Sequence, residues 1–136
     1  MASSQTKRRV GELEGAATFR TALRGFLRRT DEVTAVAGLT SQRYDLLLML
    51  CAAENKGEGV RVTDLCELLH LPQTAVTELV KRANEAGLVE RRSSASDGRV
   101  WLLRATPEGT RRLYEALTGL RGDRASLVKA LAKLEG

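Results

Sequence analysis

The chain has 136 residues, with 22 Lys or Arg against 17 Asp or Glu, a net charge of +5 and a pI near 9.7. That length suits one domain with a single core, and with only 4% aromatic residues the core must be mainly Leu, Val and Ala, which suits helices. The basic balance favours an acidic partner, nucleic acid first, while no apolar run approaches the roughly 20 residues a membrane span needs.

The opening MASSQTKRRVGELEG lacks the apolar centre of a signal peptide, so no membrane association and a cytoplasmic location are expected. Residues 1–9 are polar and expected to fray. Over 10–36, Leu13, Ala16, Ala17, Phe19, Leu23, Phe26, Leu27, Thr30 and Val33 recur at helical spacing. The opposite face carries Arg20, Arg24, Arg28 and Arg29, either a solvated stripe or a contact for phosphates. Ala37-Gly38-Leu39 breaks this pattern, and Thr40 is placed as the N-cap of the next helix. Residues 44–53 are apolar nearly all round, so this helix should be the most buried. A loop follows over 54–59, with Gly57 and Gly59 as pivots. Val60-Arg61-Val62 is then expected as a short third strand, and Thr63 as the cap of a further helix with Asp64 near its positive end.

A second helix of the pair should run over 73–86, after Leu71-Pro72. Leu71, Ala75, Val76, Leu79, Val80 and Ala83 face its core, and Gly87 stands at C′, where a left-handed backbone is cheap. Residues 88–92 and 99–104 look like paired strands, and 93–98 between them is turn chemistry with almost nothing to bury. Helix, short turn, helix and hairpin together make a winged helix-turn-helix. Beyond Gly109, Leu113, Leu117, Leu120, Leu127, Leu131 and Leu134 follow steps of four and three, as in a coiled-coil seam. Gly119 and Gly122 interrupt it, so two helices are expected, 108–120 and 123–134, hinged at Arg121-Gly122.

Four motifs stand in order along this frame: Gly38-Leu39-Thr40-Ser41-Gln42-Arg43-Tyr44, Ala86-Gly87-Leu88-Val89-Glu90-Arg91, Asp97-Gly98-Arg99 and Thr106-Pro107-Glu108-Gly109. Residues 40–109 on this account resemble the MarR (multiple antibiotic resistance regulator) family of bacterial transcription factors, with the flanking helices similar by pattern only. The resemblance implies a mainly α fold with a small β-wing, organised as one domain over 1–136. Within it, 40–107 would be the winged helix-turn-helix lobe and 10–36 with 108–136 the helices of a dimerisation region. It also implies a cytoplasmic homodimer, a repressor on a pseudo-palindromic operator in double-stranded DNA, with no cofactor. Where such a regulator has an effector, a small aromatic or phenolic acid is the expected class. A reactive cysteine near the start of the first helix, used by some members, has no counterpart here.

On the recognition helix Gln73, Thr74, Thr77 and Glu78 are placed to read bases, since Gln suits an adenine edge and Thr a thymine methyl. Lys81 and Arg82 are expected on phosphates, giving affinity without sequence information. Glu78 departs from the family's basic or small polar residue, and an acid facing DNA is repelled unless it accepts from a cytosine amino group. At the wing, Arg99 beside Asp97 suits a narrow minor groove, while Arg91, Arg92, Ser93 and Ser94 fall where phosphates would lie. The plainer reading of Asp97 and Arg99 is a surface pair that stabilises a turn. Phe19, Leu23, Tyr44 and Trp101 are either effector-pocket lining or ordinary core.

Little supports catalysis. His70 is the only histidine, Cys51 and Cys66 sit on separate apolar helical faces as buried reduced thiols, and no metal-ligand spacing is present. Gly57-Glu58-Gly59 is a lone fragment of a phosphate loop. The second function class is a winged helix that binds protein rather than DNA. It draws on Glu78 and on the small balance over 73–104, where Lys81, Arg82, Arg91, Arg92, Arg99 and Arg104 face Glu78, Glu85, Glu90 and Asp97.

Overall fold

The computed structural model describes residues 3–57, 59–93 and 101–134. The elements are α1 (Ser4–Val36), α2 (Ser41–Asn55), α3 (Val62–Leu69), α4 (Gln73–Glu85), β1 (Val89–Ser93), β2 (Trp101–Ala105) and α5 (Pro107–Ala132). The fold is mainly helical with one two-stranded antiparallel sheet, as the sequence predicts. Residue 58 in the expected loop and the hairpin tip over 94–100 lie outside the described residues. The chain divides into two compact units, Thr34–Thr118 and the pair Met1–Val33 with Gly119–Gly136.

The Thr34–Thr118 unit is the winged helix. Thr40 caps α2 as expected, its hydroxyl accepting the Arg43 N–H at 3.1 Å. Leu46, Leu47 and Leu50 of α2 are buried with Leu65 of α3, and Val76 and Val80 of α4. α2 packs against α3, α4 and β2, but Leu48 and Met49 stay half-buried, so it is not buried all round as its apolar run implied. Thr63, by contrast, is not the cap of α3. The Asp64 carboxylate accepts the Arg61 N–H at 2.9 Å, which moves the helix start back to Val62 and leaves Thr63 inside the first turn. That early start also removes the expected third strand. A single bridge remains, with the Val60 carbonyl accepting the Leu103 N–H at 2.8 Å. Gly59 makes the approach possible, since a Cβ there would stand 2.7 Å from a Leu102 methyl.

The turn between α3 and α4 consists of His70, Leu71 and Pro72, with His70 in the left-handed region at φ 54°. α4 ends through Gly87 at φ 76°, where the Leu88 N–H reaches back to the Ala83 carbonyl at 2.9 Å. β1 and β2 pair from Val89 with Ala105 to Ser93 with Trp101. β1 therefore begins one residue later than 88–92 implied, because Leu88 is consumed in closing α4, and β2 ends one residue later than 99–104 implied. Thr106 then ties the hairpin root to the start of α5. Its hydroxyl donates to the Gly87 carbonyl at 2.6 Å and accepts the Gly109 N–H at 3.0 Å, while its N–H donates to the Leu88 carbonyl at 3.0 Å. Gly109 is pressed so closely on Leu88 that a Cβ would overlap its carbonyl oxygen. Arg112 adds a tie to the α1–α2 turn, donating to the Gly38 carbonyl at 3.0 Å.

In the other unit two expectations need correction. α1 begins at Ser4, not Val10, because the Ser3 hydroxyl accepts the Thr6 N–H at 3.1 Å and so caps a polar stretch that was expected to fray. α5 runs unbroken from Pro107 to Ala132, with no hinge at Arg121-Gly122. Glycine inside a helix weakens it by about 1 kcal/mol but does not stop it. Gly119 also has a packing role, since a Cβ there would stand 2.7 Å from Val33 Cγ1. Arg29 meets Asp123 at 3.4 Å across the same pair of helices.

Two glycines of α5 should respond oppositely to the same substitution. Gly109→Ala forces a methyl into the Leu88 carbonyl and should lower stability by about 1–3 kcal/mol in urea unfolding. Gly122→Ala meets nothing within 4 Å and should raise it, by about 0.5–1 kcal/mol. A pH effect follows from Glu108, whose carboxyl is lowered from 4.5 to about 2, first by the hydrogen bond from Arg111 and then by that from Arg112. A depressed carboxyl stabilises the fold above its unfolded value, and this is lost as pH falls from about 4.5 toward about 2. Thermal midpoints of the wild type should therefore converge on those of Glu108→Gln over that acid range. Midpoints that stay equally far apart from pH 7 to pH 2 would show that Glu108 ionisation plays no part.

Candidate nucleic-acid interface

α4 is amphipathic because its apolar residues fall on one line. Val76, Leu79, Val80 and Ala83 are buried, and Gln73, Thr74, Thr77, Glu78, Lys81 and Arg82 are all exposed. The helix thus presents its six polar candidates together, over its first ten residues, with no side chain capping its N-terminus. Glu78 is not the isolated acid that its position suggests. Arg82 Nε donates to its Oε1 at 2.8 Å, one helical turn on, and this hydrogen bond lowers the Glu78 carboxyl below its ordinary value.

The wing root supplies a second basic element. Arg91 and Arg92 are exposed and opposite Leu103 and Leu102 in register, so as neighbours on a strand they point to opposite faces of the ribbon. Glu90 stands 2.6 Å from Arg104 Nε on the facing strand, a close charge pair without good hydrogen-bond alignment. Ser93 is the last residue of β1, not part of the turn, while Ser94, Asp97 and Arg99 lie outside the described residues. Trp101 is 58% exposed opposite Ser93, which corrects its reading as core. Its alternation with Leu103 and Ala105 points it inward, but the core ends at Leu103. Sequence reasoning also missed both charge pairs, for which the only signal was the i,i+4 spacing of Glu78 and Arg82.

Of the other effector candidates, Tyr44 is buried, Leu23 half-buried and Phe19 exposed. Phe19 and Leu23 belong to one compact unit, Tyr44 and Trp101 to the other. In the α1 stripe Arg28 and Arg29 pair with Glu32, and Arg20 and Arg24 are exposed. Cys51 and Cys66 are free and half-buried, more accessible than expected; burial pushes the Cys51 thiol up, only partly offset by Thr110 at 3.9 Å. His70 is exposed in its turn. Among the described residues no cluster of three His, Cys, Asp or Glu side chains is placed to hold a metal ion, and no helix is long and apolar enough to cross a membrane.

Comparison with known proteins fits this geometry. The family model described as the MarR family matches residues 37–100, which hold α2 through β1. YdgJ of Bacillus subtilis (strain 168), named as an uncharacterized HTH-type transcriptional regulator, is 30% identical over 79 residues, 58% of this chain and 46% of its own length. The chain thus spans about half the length of that relative. Among solved structures, the MarR family transcription regulator SP03579 superposes with a TM-score of 0.74 at 19% identity, over 98% of this chain and 83% of its own. A mutant of MarR from E. coli, complexed with operator DNA, gives 0.67 at 21% identity over 82% and 78%. At these identities the two structures establish the fold. The family model adds a sequence match to the MarR family over residues 37–100, on the helix-turn-helix itself, so that this segment carries the family's pattern on the winged-helix fold that the structures establish.

Proposed function

We propose that the protein is a homodimeric transcriptional repressor that binds a pseudo-palindromic operator in double-stranded DNA. The observation that carries this reading is the polar face of α4, on which Gln73, Thr74, Thr77 and Lys81 are exposed and the one acid near its middle is neutralised by Arg82. Gln73, Thr74 and Thr77 offer hydrogen bonds and a methyl to base edges, and Lys81 a charge to phosphate. Arg91, Arg92 and the wing-tip residues Ser94, Asp97 and Arg99 keep the backbone and minor-groove roles that the resemblance implies. Two copies would set their α4 helices in successive major grooves, about 34 Å apart.

A second copy is supported by apolar side chains on the helices of the Met1–Val33 and Gly119–Gly136 unit. Val10, Leu13, Phe19, Leu27 and Val128 are all exposed there. Release by a small aromatic or phenolic acid belongs to the same proposal and rests on the family resemblance. The protein-interaction reading drew on Glu78 as an acid on the presented face, and its pairing with Arg82 removes that ground.

Fluorescence anisotropy against duplex DNA from upstream of the protein's own gene, beside a scrambled duplex, tests the proposal. Binding should prefer the first duplex, at two subunits per site, and log K should fall by about 0.9 per phosphate contact as log salt rises. Salt-insensitive behaviour with no affinity for either duplex would sink it. In sedimentation velocity the double substitution Leu13→Glu with Phe19→Glu should shift the protein from dimer to monomer and lower operator affinity at least tenfold. An unchanged dimer in that variant would place the subunit contact elsewhere.

A further inference from the structure

Arg82 starts from a flank of α4. With about 100° between successive residues, buried Val76, Leu79, Val80 and Ala83 define the inner line, and Thr74, Glu78, Lys81 and, at the helix end, Glu85 fall nearest the opposite one. Arg82 lies to one side of that outward line. Its hydrogen bond to Glu78 at 2.8 Å draws the guanidinium back toward it. The atom engaged is Nε, and among the described residues no other group hydrogen-bonds or pairs with Arg82. Both Nη groups are therefore left for a ligand. Two parallel N–H donors at fixed separation match O6 and N7 on the major-groove edge of guanine.

Charge argues the same way. A lone carboxylate near the middle of a recognition face would repel phosphates from both strands, whereas the pair with Arg82 is neutral as a unit. Hydrogen bonding from Arg82 also keeps Glu78 ionised, and so available to hold the guanidinium across the ordinary pH range. We propose that Arg82 reads a guanine in the major groove, with Glu78 as the positioning residue that aims it. The pair then confers a base preference, in place of a phosphate hold by Arg82 and a cytosine contact by Glu78. This inference rests on the DNA-binding reading above and gives it a base.

The test begins with selection of preferred duplexes from a random pool by the wild-type full chain. Anisotropy titrations at two salt concentrations then compare wild type, Arg82→Ala, Glu78→Ala and Glu78→Gln on the selected duplex and its single base-pair variants. Arg82→Ala should lose about 5- to 150-fold of preference for guanine at one position and leave the others unchanged. Glu78→Ala should lose part of the preference at that same position, although it removes a negative charge. Glu78→Gln should restore it, since Oε1 still accepts from Nε. The proposal is overturned if Arg82→Ala weakens all duplexes alike while the salt slope drops by about 0.9, which marks a phosphate contact. It is also overturned if Glu78→Ala binds every duplex more tightly with its base preference intact, or relaxes a different position from Arg82→Ala. A wild-type chain that selects no sequence and binds without salt sensitivity refutes the repressor reading itself, a result distinct from either of these.

Discussion

The winged-helix unit depends on how closely the start of α5 is pressed onto the exit of α4. Gly109 lacks the Cβ that would collide with the Leu88 carbonyl, and Thr106 uses its hydroxyl and N–H in three hydrogen bonds, two to Gly87 and Leu88 and one from Gly109. Both strands of the wing are rooted in this knot, since Leu88 precedes β1 and Thr106 follows β2. A helix exit, a hairpin root and a helix start are thereby held by the same few backbone groups. The consequence is mechanical. α4 and the base of the wing, which carry the candidate contact residues, share one frame instead of being joined by a free loop.

Charge on that frame is arranged rather than abundant. Over 73–104 the formal balance is small, and it would describe a poor DNA surface if every charge stood alone. Glu78 is taken up by Arg82 and Glu90 by Arg104. Exposed pairs of this kind add about 0–1 kcal/mol to stability, so their effect on the field matters more than their effect on the fold. Once the pairs are set aside, Lys81 on α4 and Arg91 and Arg92 on β1 remain as cations without an ion-pair partner among the described residues, against Glu85 at the end of α4 as an acid likewise without one. A surface of local dipoles with a few single cations suits reading bases within a phosphate-lined groove better than a uniformly basic one does.

Much of this was legible in the sequence where one signal dominated. The single buried line of α4 and the glycine at position 87 each admit one solution, and the structure adopts it. Where two local solutions were nearly equal, the pattern chose wrongly. Thr63 has the look of a cap, but Asp64, expected only as an acid near the positive end, reaches back to the Arg61 N–H and fixes an earlier start. Ser3 caps a helix start that polarity alone had assigned to fraying. Gly119 has the look of a helix breaker in sequence, and its use is visible only once Val33 is seen to occupy the space of the missing side chain. Trp101 alternates correctly with Leu103 and Ala105, yet no part of the pattern says that the core stops one pair short of it. The choice of Arg82 between a phosphate and Glu78 is a matter of side-chain conformation, which spacing permits but does not decide.

Burial is divided unevenly between the two compact units, and this bears on how the protein would recognise DNA. Apart from Thr30 and Leu120, every buried residue among those described belongs to the Thr34–Thr118 unit. The paired helical stretches of the other unit leave Leu13 at 70% and Val128 at 64% exposure. Folded stability is a small difference between large opposing quantities, and two helical stretches with so few buried side chains hold little of it by themselves. Covering that surface with a second copy, as proposed above, supplies the missing apolar burial. It also makes the order of these helices depend on protein concentration. One recognition helix of 13 residues reads a short stretch of bases, whereas two held at a fixed spacing read a longer and symmetric one. In the proposed dimer that apolar surface would also decide whether two copies of α4 are presented together, so sequence selectivity and subunit association would be linked.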